Sequence, residues 1–334
     1  MSSTVHFVTN RKPNRSLTKY GGEFGGGTTA DLRYGKASVS ARGKVTVETF
    51  PEKLVVDRAR GTLSERSKLG SVESMTGLRE FMRTSGSDAL VFVHGYNVKF
   101  EDAVRSASKL ASGLAAAGTP VAPLLFSWPS DGSMLPFVAY NSDRNDAKAS
   151  GPAFGKAFMK LAEFLNDATP REECGQSVHL VAHSMGNYVL RHALQTIRKL
   201  SAGNLPRVFD QVLLMAADED DDTFEHDHKM GQLTRICSQV TVYFNRSDLA
   251  LHTSDKTKGN PDRLGTDGAR LPGALPARIA QVDCSEVATG AVKHSYYVDS
   301  DQVIADAGAV LRGEHHADIS RRRPVEGMRV YRLR

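Results

Sequence analysis

Short apolar runs alternate with amphipathic stretches from about residue 89 onward. Buried strands are predicted at Ala89–Val93, Val121–Phe126, Val178–Ala182, Val208–Met215, Val240–Phe244 and Arg278–Val282. Helices are predicted where apolar residues recur at helical spacing, at Phe100–Leu114, Phe154–Leu165, Val189–Ile197 and Ser300–Leu311. Uninterrupted apolar strands that alternate with helices are typical of a parallel sheet covered on both faces. We therefore predict an α/β fold with a mostly parallel central sheet and helices on both faces.

Residues 1–88 show a different pattern, with strand-like segments at Thr4–Thr9 and Lys44–Thr49. The second segment alternates apolar and polar positions, as strands with one buried face do. We predict that these are antiparallel strands added to the sheet. The predicted divisions are 1–88 for the N-terminal strands and loops, 89–314 for the core and 315–334 for a basic C-terminal tail. The arginines of that tail are expected to be solvated.

The charge balance argues against nucleic acid as a partner. The net charge is +5 over 334 residues, whereas nucleic-acid binding needs basic residues concentrated on one surface. No segment has the roughly 20 apolar residues that span a bilayer, and the N-terminus lacks the pattern of a signal peptide. The three cysteines, Cys174, Cys237 and Cys284, form no CxxC pair. Reduced thiols in the cytoplasm are therefore expected.

The segment Ala182–Gly186 lies between a predicted strand and a predicted helix, and it is a variant of the G-x-S-x-G motif. Small residues two positions before and after Ser184 are needed because such a turn is sharp and closely packed. The N-terminus of the following helix favours negative charge beside the serine. A serine that merely caps the helix is the alternative. The flanking strand and helix favour a nucleophile.

The segment His94–Asn97 follows a predicted strand and precedes its helix. In a parallel sheet this turn should lie beside the nucleophile turn, and Gly95 would let the backbone approach a substrate closely. We predict that the backbone N–H groups of Tyr96 and Met185 bind the oxyanion of a tetrahedral intermediate. An ordinary loop, with Asn97 capping the helix, is compatible with this prediction.

A serine nucleophile needs a histidine to take its proton and an acid to orient that histidine. Asp248 and Asp218 both follow predicted strands. Asp248 is favoured because it follows the strand next but one past the nucleophile strand, the commoner place for the acid. His294 lies between the last strand and the last helix, where the base is expected. His94 and His183 are expected to point away from the base position.

The acidic run 218–222, with His226 and His228, offers oxygen and nitrogen ligands that a metal ion could use. Acidic residues near the start of a helix are more often a solvated face that complements the helix dipole. We therefore expect neither a metal ion nor a cofactor.

Two segments are candidates for substrate contact. Apolar side chains after the strand Val121–Phe126 are predicted to line an acyl pocket, namely Trp128, Met134, Leu135 and Phe137. A satellite of the core is the alternative. Residues 252–276 are rich in glycine and proline and are predicted to form a long loop that overhangs the site, with Leu264 and Leu271 as apolar contacts. A mobile surface loop is the alternative there.

These motifs resemble those of bacterial α/β-hydrolases known as domain of unknown function 900, in the esterase/lipase superfamily. The resemblance covers most of the chain, from the Thr9–Arg11 element near the start to the final helix. It is most specific at Phe92–Asn97, Phe126–Gly132 and Ala182–Asn187, and it includes Asn245–Asp248 and His294–Tyr296. It implies an α/β-hydrolase fold and a serine hydrolase without naming a substrate. Many relatives are exported, whereas this sequence lacks a recognisable signal peptide.

The expected activity is hydrolysis of a carboxylic ester through an acyl-enzyme on Ser184, with Asp248 and His294 completing a triad. The expected partner is a small-molecule acyl ester. An acyltransferase or thioesterase with the same triad is the first alternative, and a non-catalytic binding module of the same fold is the second. Acyl chain length and oligomeric state do not follow from these motifs.

Overall fold

The computed structural model describes residues 3–26, 31–51, 56–57, 62–63, 69–130, 136–166, 175–251, 262–289, 292–325 and 328–334. The strands there are β1 (Ser3–Thr9), β2 (Arg11–Pro13), β3 (Tyr20–Phe24), β4 (Arg33–Val39), β5 (Val45–Thr49), β6 (Val56–Asp57), β7 (Thr62–Leu63), β8 (Asp88–Val93), β9 (Val121–Ser127), β10 (Val178–His183), β11 (Phe209–Met215), β12 (Cys237–Phe244), β13 (Ile279–Asp283), β14 (Arg322–Pro324) and β15 (Val330–Leu333). The α-helices are α1 (Gly70–Ser85), α2 (Phe100–Ala116), α3 (Pro136–Asn166), α4 (Gly186–Leu200), α5 (Leu264–Asp267), α6 (Tyr296–Asp299) and α7 (Asp301–Leu311). Short 3-10 helices lie at Thr223–Glu225, Leu233–Arg235 and Pro272–Ala274.

The central sheet has eleven strands within the described ranges, in the order β14-β15-β13-β12-β11-β10-β8-β9-β1-β4-β5. The strands from β15 through to β1 run parallel to their neighbours. At the edges, β4 and β5 pair antiparallel with β1 and with each other, and β14 pairs antiparallel with β15. The predicted sheet, mostly parallel with antiparallel N-terminal strands, is confirmed. The first strand differs from the prediction because β1 is itself parallel to β9.

Helices cover both faces of this sheet, as the uninterrupted apolar strands predict. Along β8, Ala89, Val91 and Val93 belong to the apolar cluster that contains the buried faces of α1, α3 and α4. The intervening residues Leu90 and Phe92 belong to the opposite cluster, with α2 and α7. Alternate residues of a strand point to opposite faces, so a strand buried on both sides is mostly apolar. None of the helices in the described ranges is long and apolar enough to cross a membrane.

The N-terminal region contains more regular structure than the sequence pattern predicts. Helix α1 was not predicted, although Met75, Leu78 and Met82 on its buried face recur at helical spacing. Strand β4 and the β2–β3 hairpin were not predicted either. Glycine-rich sequence hid this hairpin, since glycine disfavours strands unless another chain segment approaches closely.

The C-terminal residues are not a solvated tail. Strand β15 pairs with β13, so the sheet continues beyond the core predicted to end at residue 314. Arg322 is buried, and its guanidinium donates two hydrogen bonds of 2.7 Å to the carboxylate of Asp306 on α7. Arg321 and Arg323 are exposed, as expected. The prediction of a solvated tail was wrong for Arg322, because this member of the arginine run points inward to the buried carboxylate of Asp306.

Candidate active site

Ser184 lies in a tight turn between β10 and α4, at the carboxyl end of the parallel strands. Its φ is +52°, in the left-handed region that non-glycine residues seldom occupy. Such backbone strain is concentrated at functional sites. The turn leaves the serine at the N-terminus of α4, and the side chain borders a cavity of about 290 Å³.

Close packing explains the small residues around Ser184. A Cβ atom added to Gly186 would lie 2.5 Å from the carbonyl oxygen of Val93, so any side chain there would displace β8. A Cβ added to Gly95 would lie 2.9 Å from Cβ of Ser184. The turns after β8 and β10 therefore touch, as the expected order of strands requires.

Asn187 stabilises the serine turn, a role that sequence reasoning missed. Its side-chain amide donates to the carbonyl oxygens of Ala182 and Ser184, each at 3.0 Å. The Ser184 carbonyl also accepts a hydrogen bond from the backbone N–H of Asp218 at 3.2 Å. The strained turn is thus tied to β10, α4 and the residues that follow β11. Asn187 lies within the motif that carries the resemblance, but only the contacts reveal its partners.

His294 and Asp248 lie together beside this turn. Nδ1 of His294 is 2.7 Å from Oδ2 of Asp248. The other carboxylate oxygen accepts backbone N–H groups of Ala250 and Leu251 at 3.0 and 3.1 Å. The carboxylate is fully buried, whereas the imidazole borders the same cavity as Ser184. With Nδ1–H donating to Asp248, Nε2 of the ring is the proton acceptor.

His183 lies next to His294 instead of pointing away from the base position. Its Nε2 is 3.2 Å from the carbonyl oxygen of His294, and its ring packs 4.2 Å from that of Tyr297. Burial, followed by the neighbouring His294, lowers the pKa of His183 well below its usual range. A neutral His183 donates a hydrogen bond from Nε2 to the His294 carbonyl and so holds the backbone of His294 in place.

The turn after β8 contributes Tyr96 to the lining of the cavity. His94 is buried below it, with Nδ1 2.8 Å from the Gly95 carbonyl and Nε2 3.2 Å from the backbone N of Trp128. Burial lowers the pKa of His94 to about 3, so the ring is neutral. Within the described residues, the backbone N–H groups of Tyr96 and Met185 have no acceptor in the protein.

The predicted substrate contacts are placed unevenly. Trp128 is fully buried, its ring stacked on His94 at 5.3 Å, and Leu264 is fully buried in the core. Neither borders the cavity. Met134 and Leu135 lie outside the described residues, as does the side chain of Phe137 at the start of α3. The cavity is bordered instead by Tyr96, Val98, Ser106, Tyr140, Leu251 and Tyr297, among others.

The predicted overhanging loop is only partly described, because 252–261 lie outside the described residues. The rest of it includes α5, which packs against the end of β12, with the Asn245 N–H donating to the Gly265 carbonyl at 2.9 Å. Leu271 is exposed. This half of the segment therefore belongs to the body of the protein and not to a loop over the cavity.

The α/β-hydrolase family of unknown function DUF900 matches residues 71–313 of this chain. This span covers the sheet core with the Ser184, Asp248 and His294 segments. The chain belongs to the DUF900 family. An uncharacterized protein, alr1448, from Nostoc sp. (strain PCC 7120) is 31% identical over a stretch that spans 32% of this chain and 31% of that protein. The chain thus matches about a third of that relative's length. No solved structure matches this chain. Family membership indicates a hydrolase.

Asp218, the alternative acid in this DUF900 protein, borders the cavity but has other partners. Its carboxylate accepts a hydrogen bond from the hydroxyl of Tyr140, and its Oδ1 lies 3.4 Å from Nε of Arg263. No hydrogen bond or ion pair joins it to His294 in the part of the chain that the structure describes. The geometry pairs the histidine with Asp248.

The acidic run that follows Asp218 is paired with cations. Glu219 lies 3.2 Å from Arg191, and Asp220 lies 2.9 Å from Lys229 and 2.8 Å from Arg263. Burial raises the pKa of Glu219 to about 7. Over the described ranges, no three His, Cys, Asp or Glu side chains are grouped as metal ligands, and this includes the run 218–222 with His226 and His228. Two of the three cysteines, Cys237 and Cys284, are buried free thiols; Cys174 lies outside the described residues.

Proposed function

We propose that this DUF900 protein hydrolyses a carboxylic ester through an acyl-enzyme on Ser184. The observation that carries the proposal is the 2.7 Å contact between Asp248 and His294, beside a strained serine in one cavity. A serine hydroxyl becomes an effective nucleophile only when such a histidine accepts its proton. The acid and the base come from separate loops 46 residues apart, so their pairing is not a local accident of sequence.

The reaction follows the roles of these groups. Ser184 Oγ attacks the ester carbonyl while its proton passes to Nε2 of His294, and buried Asp248 stabilises the resulting imidazolium. The amides of Tyr96 and Met185 bind the oxyanion, and each such donor is worth about 3 kcal/mol. The bond to the leaving alcohol then breaks and the alcohol takes the proton from His294. A water attacks the acyl-enzyme in the same way, which releases the acid and restores Ser184.

A fluorophosphonate probe tests this proposal directly, because it reacts with activated serines. We expect covalent labelling of the wild type at Ser184, and loss of both labelling and ester turnover in Ser184→Ala. Ser106→Ala is the matched control, since Ser106 borders the same cavity away from the proposed triad. Equal labelling of wild type and Ser184→Ala would refute the proposal. Parallel assays of an ester, its thioester and its amide then decide which acyl bond is cleaved fastest.

A further inference from the structure

Arg11 is a buried cation at the edge of the site. It begins β2, immediately after β1 and Asn10, and only 1% of it is exposed. Removing a guanidinium from water costs several kcal/mol unless the protein supplies hydrogen bonds in return. Its partners therefore show what the residue is there to hold.

The Arg11 guanidinium connects three segments. Nε donates to Oγ of Ser127 at the end of β9 at 2.9 Å, and Nη1 donates to the Gly21 carbonyl of the hairpin at 3.1 Å. Nη2 donates to the Val98 carbonyl at 2.6 Å. Val98 ends the turn that carries the Tyr96 amide. The shortest of these hydrogen bonds, the one to the Val98 carbonyl, thus ties Arg11 to the proposed oxyanion turn.

Arg11 also contacts the histidine below that turn. Its Nη2 is 3.5 Å from Nε2 of His94, and its positive charge adds to burial in lowering the pKa of His94. A neutral His94 can donate from Nδ1 to the Gly95 carbonyl and accept the Trp128 N–H at Nε2, which a protonated ring cannot do. Arg11 therefore acts on both ends of the turn, at Val98 directly and at Gly95 through His94.

We propose that Arg11 is a positioning residue for the oxyanion hole, which holds the 94–98 turn so that the Tyr96 amide faces the reacting carbonyl. Arg11 is not among the residues that line the cavity in the described part of the chain. It lies outside the residues 71–313 that the family matches, so the N-terminal segment contributes to catalysis from beyond the matched core. This inference rests on the proposed serine hydrolase activity.

A misplaced oxyanion donor weakens transition-state binding without weakening ground-state binding, so its signature is a lower kcat at constant KM. A misplacement of about 1 Å can cost on the order of 100-fold. If Arg11 only held the hairpin in place, its loss would lower the thermal midpoint and the fraction of active sites, while each remaining site turned over normally.

The experiment compares Arg11→Lys with Lys12→Gln, after titration of active sites with the fluorophosphonate. Lysine keeps the charge but loses the planar fork that reaches three segments. Lys12 is the adjacent hairpin residue, and its ion pair with Glu23 is on the surface. We expect Arg11→Lys to lower kcat per titrated site about 10- to 100-fold with KM within about twofold, and Lys12→Gln to change neither.

A trifluoromethyl ketone provides the second readout, because it forms an oxyanion on the serine. Its affinity should fall in Arg11→Lys by the same factor as kcat/KM. If Arg11→Lys does not fold, Ser127→Ala replaces it, since this removes one acceptor of the guanidinium and should lower kcat severalfold. An unchanged kcat per titrated site in the folded variant would overturn the inference. Failure of the wild type to label would refute the proposed function instead.

Discussion

Two aspartates lie near Ser184, and their hydrogen-bond partners give them different chemistry. Asp248 directs one oxygen to His294 and the other to two backbone N–H groups. Asp218 is bound to the Tyr140 hydroxyl and lies between Arg263 and Arg144. Only the first arrangement holds an imidazole in the tautomer that can accept a serine proton.

This difference predicts the ranking of two matched substitutions. Asp248→Asn should lower kcat by about four orders of magnitude, because an amide favours the wrong tautomer of the histidine. Asp218→Asn should lower it by less than about tenfold, because its partners are not in the proton-transfer path. Steady-state ester hydrolysis and circular dichroism on both folded variants give the ranking. The opposite order would transfer the acid's role to Asp218.

At this scale the sequence predicts a residue when chain order alone places it. Ser184, Asp248 and His294 each follow a strand at the same edge of a parallel sheet, so topology brings them near one another before any contact is known. Asn187 was missed because its partners, the nearby carbonyls of Ala182 and Ser184, become apparent only once the turn is folded. The roles of His183 and Arg11 were missed because their partners lie far along the chain. The Val98 carbonyl that Arg11 binds is 87 residues away, and no local pattern encodes such a pair.

At the scale of elements, prediction succeeded where burial is uniform. The core strands from β8 to β13 were predicted within about three residues at each end, because both faces are covered and most positions are apolar. Elements at the sheet edges were harder. Helix α1 has a narrow buried face and β15 has only four residues, so their apolar periodicity is short and broken by exposed positions.

The C-terminal strands are attached by a buried ion pair, and this predicts a large effect on stability. Arg322→Gln would leave the Asp306 carboxylate buried without its cation, an outcome that typically costs about 3–5 kcal/mol. Arg323→Gln, in the same strand β14 but exposed, should change the free energy of unfolding by less than about 0.5 kcal/mol. Urea unfolding followed by circular dichroism measures both.

Equal urea midpoints for these two variants would mean that β14 is held by the sheet alone. A double variant, Arg322→Met with Asp306→Leu, gives a further check. Replacing a buried ion pair by apolar groups is often neutral or stabilising, although here Tyr243 would also lose the carboxylate that accepts its hydroxyl at 2.7 Å. The double variant should therefore recover only part of the stability lost in Arg322→Gln.

Across the whole molecule, buried histidines link stability to pH. Burial is the main cause that lowers the pKa of His6, His192 and His316 to about 4, of His94 to about 3, and of His183 well below its usual range. In the unfolded chain each would titrate near 6.5. Between about pH 4 and pH 6.5 the unfolded state therefore binds more protons at these sites, and their contribution to stability is lost as the pH falls through that window.

Glu219 acts in the opposite direction over the same range. Burial raises its pKa to about 7, so the folded state retains a proton that the unfolded carboxylate releases above about pH 4.3. Stability from this group falls as the pH rises. The five histidines and this glutamate leave a net uptake of roughly four protons on unfolding near pH 5.5, so the protein should become steadily less stable from pH 6.5 to pH 5.

His6 isolates one proton of this linkage, because it lies on β1 away from the site. His6→Leu removes the titration and should lower the slope of unfolding free energy against pH by about 1.4 kcal/mol per pH unit between pH 5 and 6. Thr4→Val is the control, since Thr4 is an exposed residue of the same strand without a titratable group, and it should leave the slope unchanged. Urea unfolding at four pH values gives each slope. If the slope of unfolding free energy against pH were the same in His6→Leu as in the wild type, His6 would have to be protonated in the folded protein. Burial in the sheet would then not lower its pKa.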